Sequence, residues 1–257
     1  MWSRPLACLL ATAGIALSAD KINVLVLTGQ SDLPYHHWEL TTPFLRGALA
    51  NTGRFDVRVE EQVPGITTST LAGFDLLVLN YNGPRWGEAT EAAVENFIRS
   101  GKGMIAVHGV SYGPFYGQDL RGGARKMAGD PWPAYADMMG MTWKLENIGH
   151  SKRHVFPVKW VDRDHPISRG LPPIFLADDE LYHKLDFKPN VHVLATAYSD
   201  PKVGGTGKEE PLIWTVPFGQ GRVVHITLGH DLQAMSQPGF IEAFARSSEW
   251  AATGAVR

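Results

Sequence analysis

The stretch Ile22–Thr28, with the sequence INVLVLT, decides the fold of this chain. It is a continuous apolar run rich in β-branched residues, which is typical of a strand buried on both faces of a sheet. Two later runs, Leu76–Asn80 (LLVLN) and Met104–Val107 (MIAV), have the same character. Amphipathic segments separate the three runs, and strands that alternate with helices form βαβ units. The sequence therefore predicts an α/β fold, with a mostly parallel sheet and helices on both faces.

The segments between these strands carry helical signals. Thr42 precedes Pro43, the arrangement of an N-cap followed by proline at the first helical position. Residues 88–100 place apolar side chains at helical spacing and end before Gly101. Further strands are predicted at 55–59, 154–161, 191–198, 212–216 and 222–228, and a last helix at 238–252. The sequence has no internal repeat or Pro/Ser-rich linker, so residues 20–257 are predicted to form a single domain.

Residues 1–19 have the layout of a secretory signal peptide. Arg4 precedes an apolar run from Leu6 to Leu17, and the small residues at 16–19 offer a cleavage site. The apolar run is shorter than the roughly 20 residues that a membrane-spanning helix needs. We expect these residues to be removed and the mature protein to be exported to the periplasm or the outside, with no membrane span.

The only cysteine, Cys8, lies within this predicted signal peptide. The mature chain therefore has no thiol nucleophile and no cysteine to ligate a metal. The charge balance excludes another class of function: 24 Lys and Arg nearly cancel 26 Asp and Glu, for a formal net charge of −2. Because no basic run is present either, a nucleic acid is not expected as a partner. Nothing in the sequence indicates a nucleotide cofactor.

Polar residues stand at the ends of several predicted strands. In open parallel sheets, ligands bind beyond the carboxyl ends of the strands. His108 follows MIAV directly, His230 follows the last strand, and Glu180 lies in the polar stretch DDELYH; we predict that these three are catalytic. His37 would join His108 and His230 as ligands of Zn²⁺ or a similar divalent ion, because neutral imidazoles suit such ions. Without a metal, the same groups could act as general acid and base on a polyol.

Aromatic residues cluster in the same loops as these polar groups. Flat aromatic faces beside hydrogen-bonding groups suit the apolar face and the hydroxyls of a sugar ring. The predicted substrate-binding residues are Gln30, Trp38, Asn80, Tyr112 and Asp231. Structural interpretations stay open at this point. Asp231 could be a helix N-cap, His108 could be a buried core residue, and Glu180 could pair with Lys184 or Arg169.

A series of short motifs extends these patterns over nearly the whole mature chain. They are VLVLTG and HHW within 24–38, GRFDV at 53–57, DLLVLN at 75–80, GKGMIAVHG at 101–109, HPISRGLP at 165–172, DDELYH at 178–183 and PLIWTVPFGQGRVVHITLGHD at 211–231. In this order and spacing, the chain resembles the ThuA-like family of trehalose-utilisation proteins. The resemblance implies a flavodoxin-like sheet, related to class I glutamine amidotransferases, and a role in carbohydrate metabolism. The histidines of the family map onto His37, His108 and His230, with Glu180 nearby.

One departure from the wider superfamily restricts the chemistry. The amidotransferase relatives carry a nucleophilic cysteine at the turn after a central strand, and the matching stretch here, VHGVS at 107–111, has none. Glutamine hydrolysis through a thiolate is therefore not expected. We expect an enzyme that acts on a sugar or a keto-sugar, and the alternative is a non-catalytic carbohydrate-binding module. A serine hydrolase using Ser111 near His108 is the weakest candidate, because the sequence has no GxSxG elbow.

Overall fold

The computed structural model describes residues 21–111 and 113–257. The predicted signal peptide and Tyr112, one of the predicted substrate-binding residues, lie outside the described residues. No helix in the described part of the chain is long and apolar enough to cross a membrane.

The strands of the described ranges follow the predicted alternation with helices through the first half of the chain. In chain order they are β1 (Ile22–Leu27), β2 (Phe55–Glu60), β3 (Leu76–Leu79), β4 (Gly103–Val107), β5 (Gln118–Asp119), β6 (Lys126–Met127), β7 (Met141–Thr142), β8 (His154–Trp160), β9 (Ile174–Asp179), β10 (Asp186–Phe187), β11 (His192–Tyr198), β12 (Glu209–Phe218) and β13 (Gly221–Ile226). The α-helices are α1 (Trp38–Ala50), α2 (Thr68–Leu71), α3 (Glu88–Arg99), α4 (Tyr135–Met139), α5 (Leu232–Met235) and α6 (Pro238–Thr253). Short 3₁₀ turns occupy His108–Ser111, Pro114–Tyr116, Arg121–Gly123 and Pro201–Val203.

Nine strands form one mixed sheet in the order β2-β1-β3-β4-β13-β12-β11-β8-β9. The first five strands in this order, β2, β1, β3, β4 and β13, are parallel to one another. From β13 onward each strand is antiparallel to its neighbour. The predicted α/β fold is confirmed, and the antiparallel strands extend it. Their direction has a simple cause at β12 and β13, because a connection as short as 219–220 can join two adjacent strands only as a hairpin.

Strand β1 shows why the INVLVLT run is continuous rather than alternating. Leu25 and Leu27 point into a core on one face of the sheet, which α3 helps to cover. Val24 and Val26 point into a second core on the opposite face, which α1 and α6 cover. Because both faces of the strand are buried, every position from Val24 to Leu27 is apolar, and only the partly buried Asn23 near its start is polar. The prediction of helices on both faces is confirmed.

Helix α1 begins four residues before the predicted N-cap. Its first residue is Trp38, and Pro43 lies inside the helix. The predicted cap residue, Thr42, is instead buried, and its hydroxyl lies 2.8 Å from the Thr28 hydroxyl and accepts a hydrogen bond from the Asn80 amide at 2.9 Å. The prediction of a cap at Thr42 is therefore wrong, because hydrogen bonds to β1 and to the end of β3 use its side chain.

Strand β9, which the sequence did not predict, delivers the polar stretch DDELYH to the functional edge of the sheet. It ends at Asp179, so Glu180 follows a strand end directly. The carboxylate of Asp179 accepts hydrogen bonds from the backbone N–H groups of Gly229 at 2.6 Å and Glu180 at 2.8 Å. These bonds tie the end of β9 to the segment that follows β13, two strands that are not neighbours in the sheet.

Candidate functional site

Four side chains meet at the carboxyl edge of the parallel strands and form what we call the His–Glu cluster: His36, His108, Glu180 and His230. They come from the loop before α1, from the ends of β4 and β9, and from the segment after β13. One ring nitrogen from each of the three histidines lies within 4.8 Å of the others. The convergence of His108, His230 and Glu180 agrees with the principle that strand ends meet at one edge.

The backbone at His108 fixes the direction of its ring. The residue has a left-handed φ of 42°, which is unusual for a residue other than glycine, and its side chain is buried. Its Nδ1 lies 2.7 Å from the backbone carbonyl oxygen of Thr227. A carbonyl oxygen only accepts hydrogen bonds, so Nδ1 carries the proton and the lone pair of the neutral imidazole is on Nε2. That lone pair faces the cluster.

Three polar groups surround Nε2 of His108. The Tyr182 hydroxyl lies at 2.7 Å, Nδ1 of His230 at 3.2 Å and Oε1 of Glu180 at 3.4 Å. Because Nδ1 donates to the carbonyl, Nε2 accepts from the Tyr182 hydroxyl when the ring is neutral and donates to Glu180 when the ring is protonated. His108 is thus a buried residue with hydrogen bonds on both ring nitrogens, and it also belongs to the cluster.

Glu180 is shared among three histidines. Its Oε1 lies 3.2 Å from Nδ1 of His230, and its Oε2 lies 3.1 Å from Nδ1 of His150. Burial alone would raise the pKa of Glu180, but the hydrogen bonds and charges of His108 and His230 hold that pKa well below its usual range. The carboxylate is therefore ionised. Its partners are histidines, and not the Lys184 or Arg169 of the structural interpretation.

The contacts within the cluster shift the pKa values of His230 and His36 in opposite directions. Burial disfavours a charge on His230, but the hydrogen bond to Glu180 and the carboxylate charge outweigh burial and raise the pKa of His230. Burial, together with repulsion from His108 and His230, lowers the pKa of His36 well below its ordinary value. The cluster therefore contains one imidazole that favours its protonated form and one that stays neutral.

His36, and not the predicted His37, lies in the cluster. His37 is exposed at the N-cap position of α1. The ring of His36 reaches the cluster by packing against Gly109, where a Cβ atom would lie 2.6 Å from Nδ1 of His36. His37, the predicted metal ligand, therefore lies outside the cluster, and His36 is the residue that converges with His108 and His230. Adjacent histidines in a loop cannot be told apart by periodicity, because the path of the loop decides which one turns inward.

The predicted substrate-binding residues divide into two groups. Gln30, Trp38 and Asn80 line a narrow cleft beside the cluster, here called the inner cleft, with about 340 Å³ of empty space that is partly open to solvent. The Asn80 amide already donates to the hydroxyls of Thr41 and Thr42 at 3.0 and 2.9 Å.

Asp231, the other described member of the predicted set, has a structural use. It caps α5 by accepting from the Ala234 N–H at 2.8 Å, and it pairs with Arg153 at 2.6 Å. Both carboxylate oxygens are engaged within the protein, so the N-cap interpretation describes this residue.

A second, wider opening is lined by two residues that contact the cluster, Tyr35 beside His230 and His150 beside Glu180, and is here called the outer groove. It encloses about 730 Å³ of space that includes open solvent, and its lining residues include Tyr35, Leu120, Arg125, Trp143, Ile148 and His150. The Tyr35 ring is about half exposed and stacks on the His230 ring, with centroids 5.9 Å apart and planes at 19°. Half-exposed aromatic rings of this kind are suited to the apolar face of a sugar.

Ser111 does not form a nucleophilic pair with His108. Its side chain is completely buried, and its hydroxyl lies 2.8 Å from Nε2 of His225 in the interior of the sheet. Burial lowers the pKa of His225 to about 3, so that ring is neutral. A sealed hydroxyl beside a mid-strand histidine offers no surface to a substrate, which removes the geometric basis for a serine hydrolase.

Several residues of the site were not among the predicted site residues. These are Tyr35, His36, His150, Asp179 and Tyr182. Asp179 and Tyr182 lie in the polar stretch DDELYH, from which only Glu180 was chosen, and His36 lies beside the chosen His37. His150 reaches the site through an isolated antiparallel bridge to Tyr182, and such a long-range pairing is not visible in either segment alone.

The donor set defines what the cluster can do. Three imidazole nitrogens with a carboxylate beside them are typical ligands and partners of Zn²⁺ or a related divalent ion. The same set can also exchange protons with a substrate, because the ionised Glu180 carboxylate contacts His230 and raises the pKa of that imidazole.

Comparisons with known proteins agree with this architecture. The sequence profile of the ThuA family, described as trehalose utilisation, matches residues 23–251. A ThuA-like protein from Parabacteroides merdae is similar in structure, with a TM-score of 0.77, 29% identity and 92% of both chains covered. A ThuA-like protein from Bacteroides uniformis gives a TM-score of 0.70 at 16% identity, covering 94% of this chain and 98% of that chain.

A more distant likeness concerns the fold alone. A β-galactosidase from Rahnella gives a TM-score of 0.56 at 16% identity, over 89% of this chain and 30% of that chain. Among curated proteins, none matches the sequence.

Proposed function

The chain belongs to the ThuA family of trehalose-utilisation proteins, and from this premise we propose that it is an enzyme that acts on a sugar or a keto-sugar through the His–Glu cluster. Membership supports a role in carbohydrate metabolism, and the fold places the cluster where α/β proteins bind ligands. The observation that carries the proposal is the ionised Glu180 carboxylate, shared by His108, His230 and His150 between the inner cleft and the outer groove.

Three residues of the cluster have roles in proton transfer in this proposal. Glu180 holds His230 in its protonated form, so His230 is the proton donor to a substrate oxygen. His108 presents its Nε2 lone pair and accepts a proton from a hydroxyl or a water. The outer groove receives the sugar, with Tyr35 against the apolar face of the ring.

We further propose an alternative state in which the cluster binds a divalent metal through His36, His108 and His230, all neutral, so that His230 is not the proton donor in that state. These rings offer three nitrogens within 4.8 Å of one another, and no thiolate competes in the mature chain. When bound, such an ion would polarise a carbonyl or hydroxyl oxygen of the sugar. With the imidazoles engaged, Glu180 is the carboxylate within reach to accept a proton.

Export is also part of the proposal. It rests on the signal-like pattern of residues 1–19, in which Arg4 precedes an apolar run that ends in small residues. Expression of the full sequence in a bacterial host, followed by N-terminal sequencing of the periplasmic protein, tests this point. A mature N-terminus near Asp20 is expected, and a full-length protein retained in the cytoplasm would contradict it.

The function is tested by incubating the mature protein with a panel of mono- and disaccharides and their keto derivatives, with and without added Zn²⁺ or Mn²⁺. Product formation is followed by chromatography, and the metal content of the purified protein is measured in parallel. We expect turnover of at least one member of the panel, and its loss in His230→Ala.

His192→Ala serves as the matched control, because this exposed histidine at the start of β11 pairs with Asp162 and not with the cluster. Unchanged turnover in His230→Ala would refute the catalytic role of the cluster. Sugar binding in calorimetry with no product from any sugar would instead identify a carbohydrate-binding module.

A further inference from the structure

The two outermost strands of the large sheet differ in how their free edges are protected. Within the described ranges, β2 and β9 each have a neighbouring strand on one side only. An unpaired edge can pair with a strand of another chain, and charged side chains are a common protection against this. Strand β2 has such protection, because Asp56 and Arg58 are exposed along it. On β9 the exposed side chains are the apolar Ile174 and Leu176.

Alternate residues of β9 direct their backbone N–H and C=O groups away from β8. The Pro173 carbonyl accepts a hydrogen bond at 3.0 Å from the backbone N–H of the last residue of β8, so Pro173 faces that strand. Because these directions alternate along an antiparallel strand, the backbone groups of Ile174, Leu176 and Asp178 face outward. The Asp178 carbonyl accepts from the Arg153 guanidinium at 2.9 Å. No strand of the described chain lies beside the outward groups of Ile174 and Leu176.

We infer that β9 pairs antiparallel with β9 of a second copy of this chain, forming a dimer in which one sheet runs through both copies. A two-fold axis beside Phe175 places Ile174 of each copy opposite Leu176 of the other. These residues then exchange their outward backbone hydrogen bonds. The inference goes beyond the proposed function and depends on neither the reaction nor the metal.

The side chains of β9 match one another in this register. Residues that lie directly opposite in an antiparallel pair share a face, so Ile174 meets Leu176, and the partly buried Phe175 meets its own copy on the other face. Ile174 is 47% exposed and Leu176 is 60% exposed, so the pairing removes from water apolar area that a single copy leaves uncovered. The apolar surface continues onto β8, where Val155 is also exposed.

The charges at this edge also favour a second copy as the occupant. Asp178 is the charged residue among the outward positions, and in this register it lies opposite Pro172 and not opposite its own copy. Its carboxylate is already paired with Arg153 at 3.0 Å. Two copies can therefore approach without like charges opposite each other, which would destabilise the pairing.

The mass of the purified protein tests the dimer. Sedimentation over the micromolar to millimolar range should show an equilibrium between one chain and a particle of twice its mass. Leu176→Lys should weaken dimerisation at least about tenfold, because both Ile–Leu pairs of the dimer lose an apolar partner. Leu40→Lys is the matched control, since Leu40 is 56% exposed on α1, and it should dimerise as the wild type does. Thermal unfolding verifies that both variants fold.

Hydrogen exchange of the backbone amides locates the interface. The outward N–H groups of Ile174 and Leu176 are free in one copy and hydrogen-bonded in the dimer, so their exchange should slow as the protein concentration rises. In Leu176→Lys this dependence on concentration should be lost. Strand β2 is the internal reference, because the exchange of residues 55–60 should not depend on concentration.

Each contrary result overturns the inference. One is a wild type that stays a single chain at every concentration. A dimer that Leu176→Lys leaves intact, or that Leu40→Lys weakens equally, would place the interface elsewhere. Slow exchange at Ile174 and Leu176 in a particle with the mass of one chain would show that another segment of the same chain covers the edge.

Discussion

Two buried histidines on neighbouring strands of the same sheet have opposite environments. His225 lies within β13, completely buried, and its Nε2 contacts only the sealed hydroxyl of Ser111 among the described hydrogen bonds. His108 lies one residue beyond β4, and its Nε2 meets a hydroxyl, an imidazole and a carboxylate. The difference shows that position along the strand decides the use of a histidine. Inside the strand it packs, and past the strand end it can meet groups from other loops.

The largest expected effect is on turnover, and it distinguishes His108 from His225. His108→Ala should lower turnover by about 10²- to 10⁴-fold, the usual contribution of a general acid or base. His225→Gln, which keeps a hydrogen-bonding side chain beside Ser111, should retain turnover within a few-fold. Steady-state kinetics on a sugar that the wild type converts decides the matter. Equal losses in both variants would show that His108 has no special role.

The next largest effect is on the affinity for Zn²⁺, and it distinguishes His36 from the adjacent His37. His36→Ala should weaken Zn²⁺ binding by at least about 100-fold, since even outer-shell partners of metal ligands contribute ten- to 100-fold. His37→Ala should leave the affinity unchanged, because His37 is exposed at the N-cap of α1. Chelator competition measures both, and the reverse result would move the site to His37.

Asp179 is expected to affect stability more than chemistry. Asp179→Ala leaves the N–H groups of Gly229 and Glu180 without their shared acceptor. Each buried unsatisfied group costs about 1–3 kcal/mol, so the loss of the shared acceptor of two groups should lower the free energy of unfolding by roughly 2–6 kcal/mol. Urea denaturation measures the change. Asp200→Ala is a control, because Asp200 caps the short turn Pro201–Val203 through Lys202 at a solvent-exposed position. A loss of equal size in that control would argue against a special role for Asp179.

The smallest effect concerns the pH dependence contributed by His225. Its pKa is about 3 in the folded protein and near the ordinary value of about 6.5 when unfolded. Its contribution to stability is therefore complete above pH 6.5 and is lost as the pH falls toward 3, because only the unfolded chain takes up the proton. The slope is at most about 1.4 kcal/mol per pH unit.

The measurement compares urea denaturation of the wild type and His225→Gln between pH 7 and pH 4, so that the titration of other groups cancels. The difference in the free energy of unfolding should change steadily with pH below 6.5. A constant difference over this interval would mean that His225 is not buried in its neutral form.

Local patterns were sufficient to predict the parallel half of the sheet. A strand such as β1, with cores on both faces, has to be apolar wherever it is fully buried, and this requirement is visible in the run from Val24 to Leu27. Strand β9 gives a weaker signal, because Ile174 and Leu176 are exposed and Asp178 and Asp179 end it. The start of α1 was wrong because hydrogen bonds from distant strands use Thr42, and no local pattern records them.

In the candidate site, too, residues with a local sequence signal could be predicted, and residues placed by distant segments could not. His108, His230 and Glu180 could be singled out, because each lies near a strand end and strand ends converge at one edge. His36 could not be chosen over His37, since its inward turn depends on the close approach of Gly109 from another segment. Tyr182 and His150 were missed for a related reason: their contacts with the cluster arise from chain segments that meet only in the folded protein.

The place of β13 in the sheet has a consequence for the folding of the protein. It is the last strand in the chain, yet it lies at the centre of the sheet between β4 and β12. The parallel and the antiparallel strands are joined only when residues 221–226 pair with both β4 and β12. Until then the two groups of strands have unpaired edges, which are exposed to aggregation. His230 follows this strand, so the His–Glu cluster is completed only when the centre of the sheet has closed.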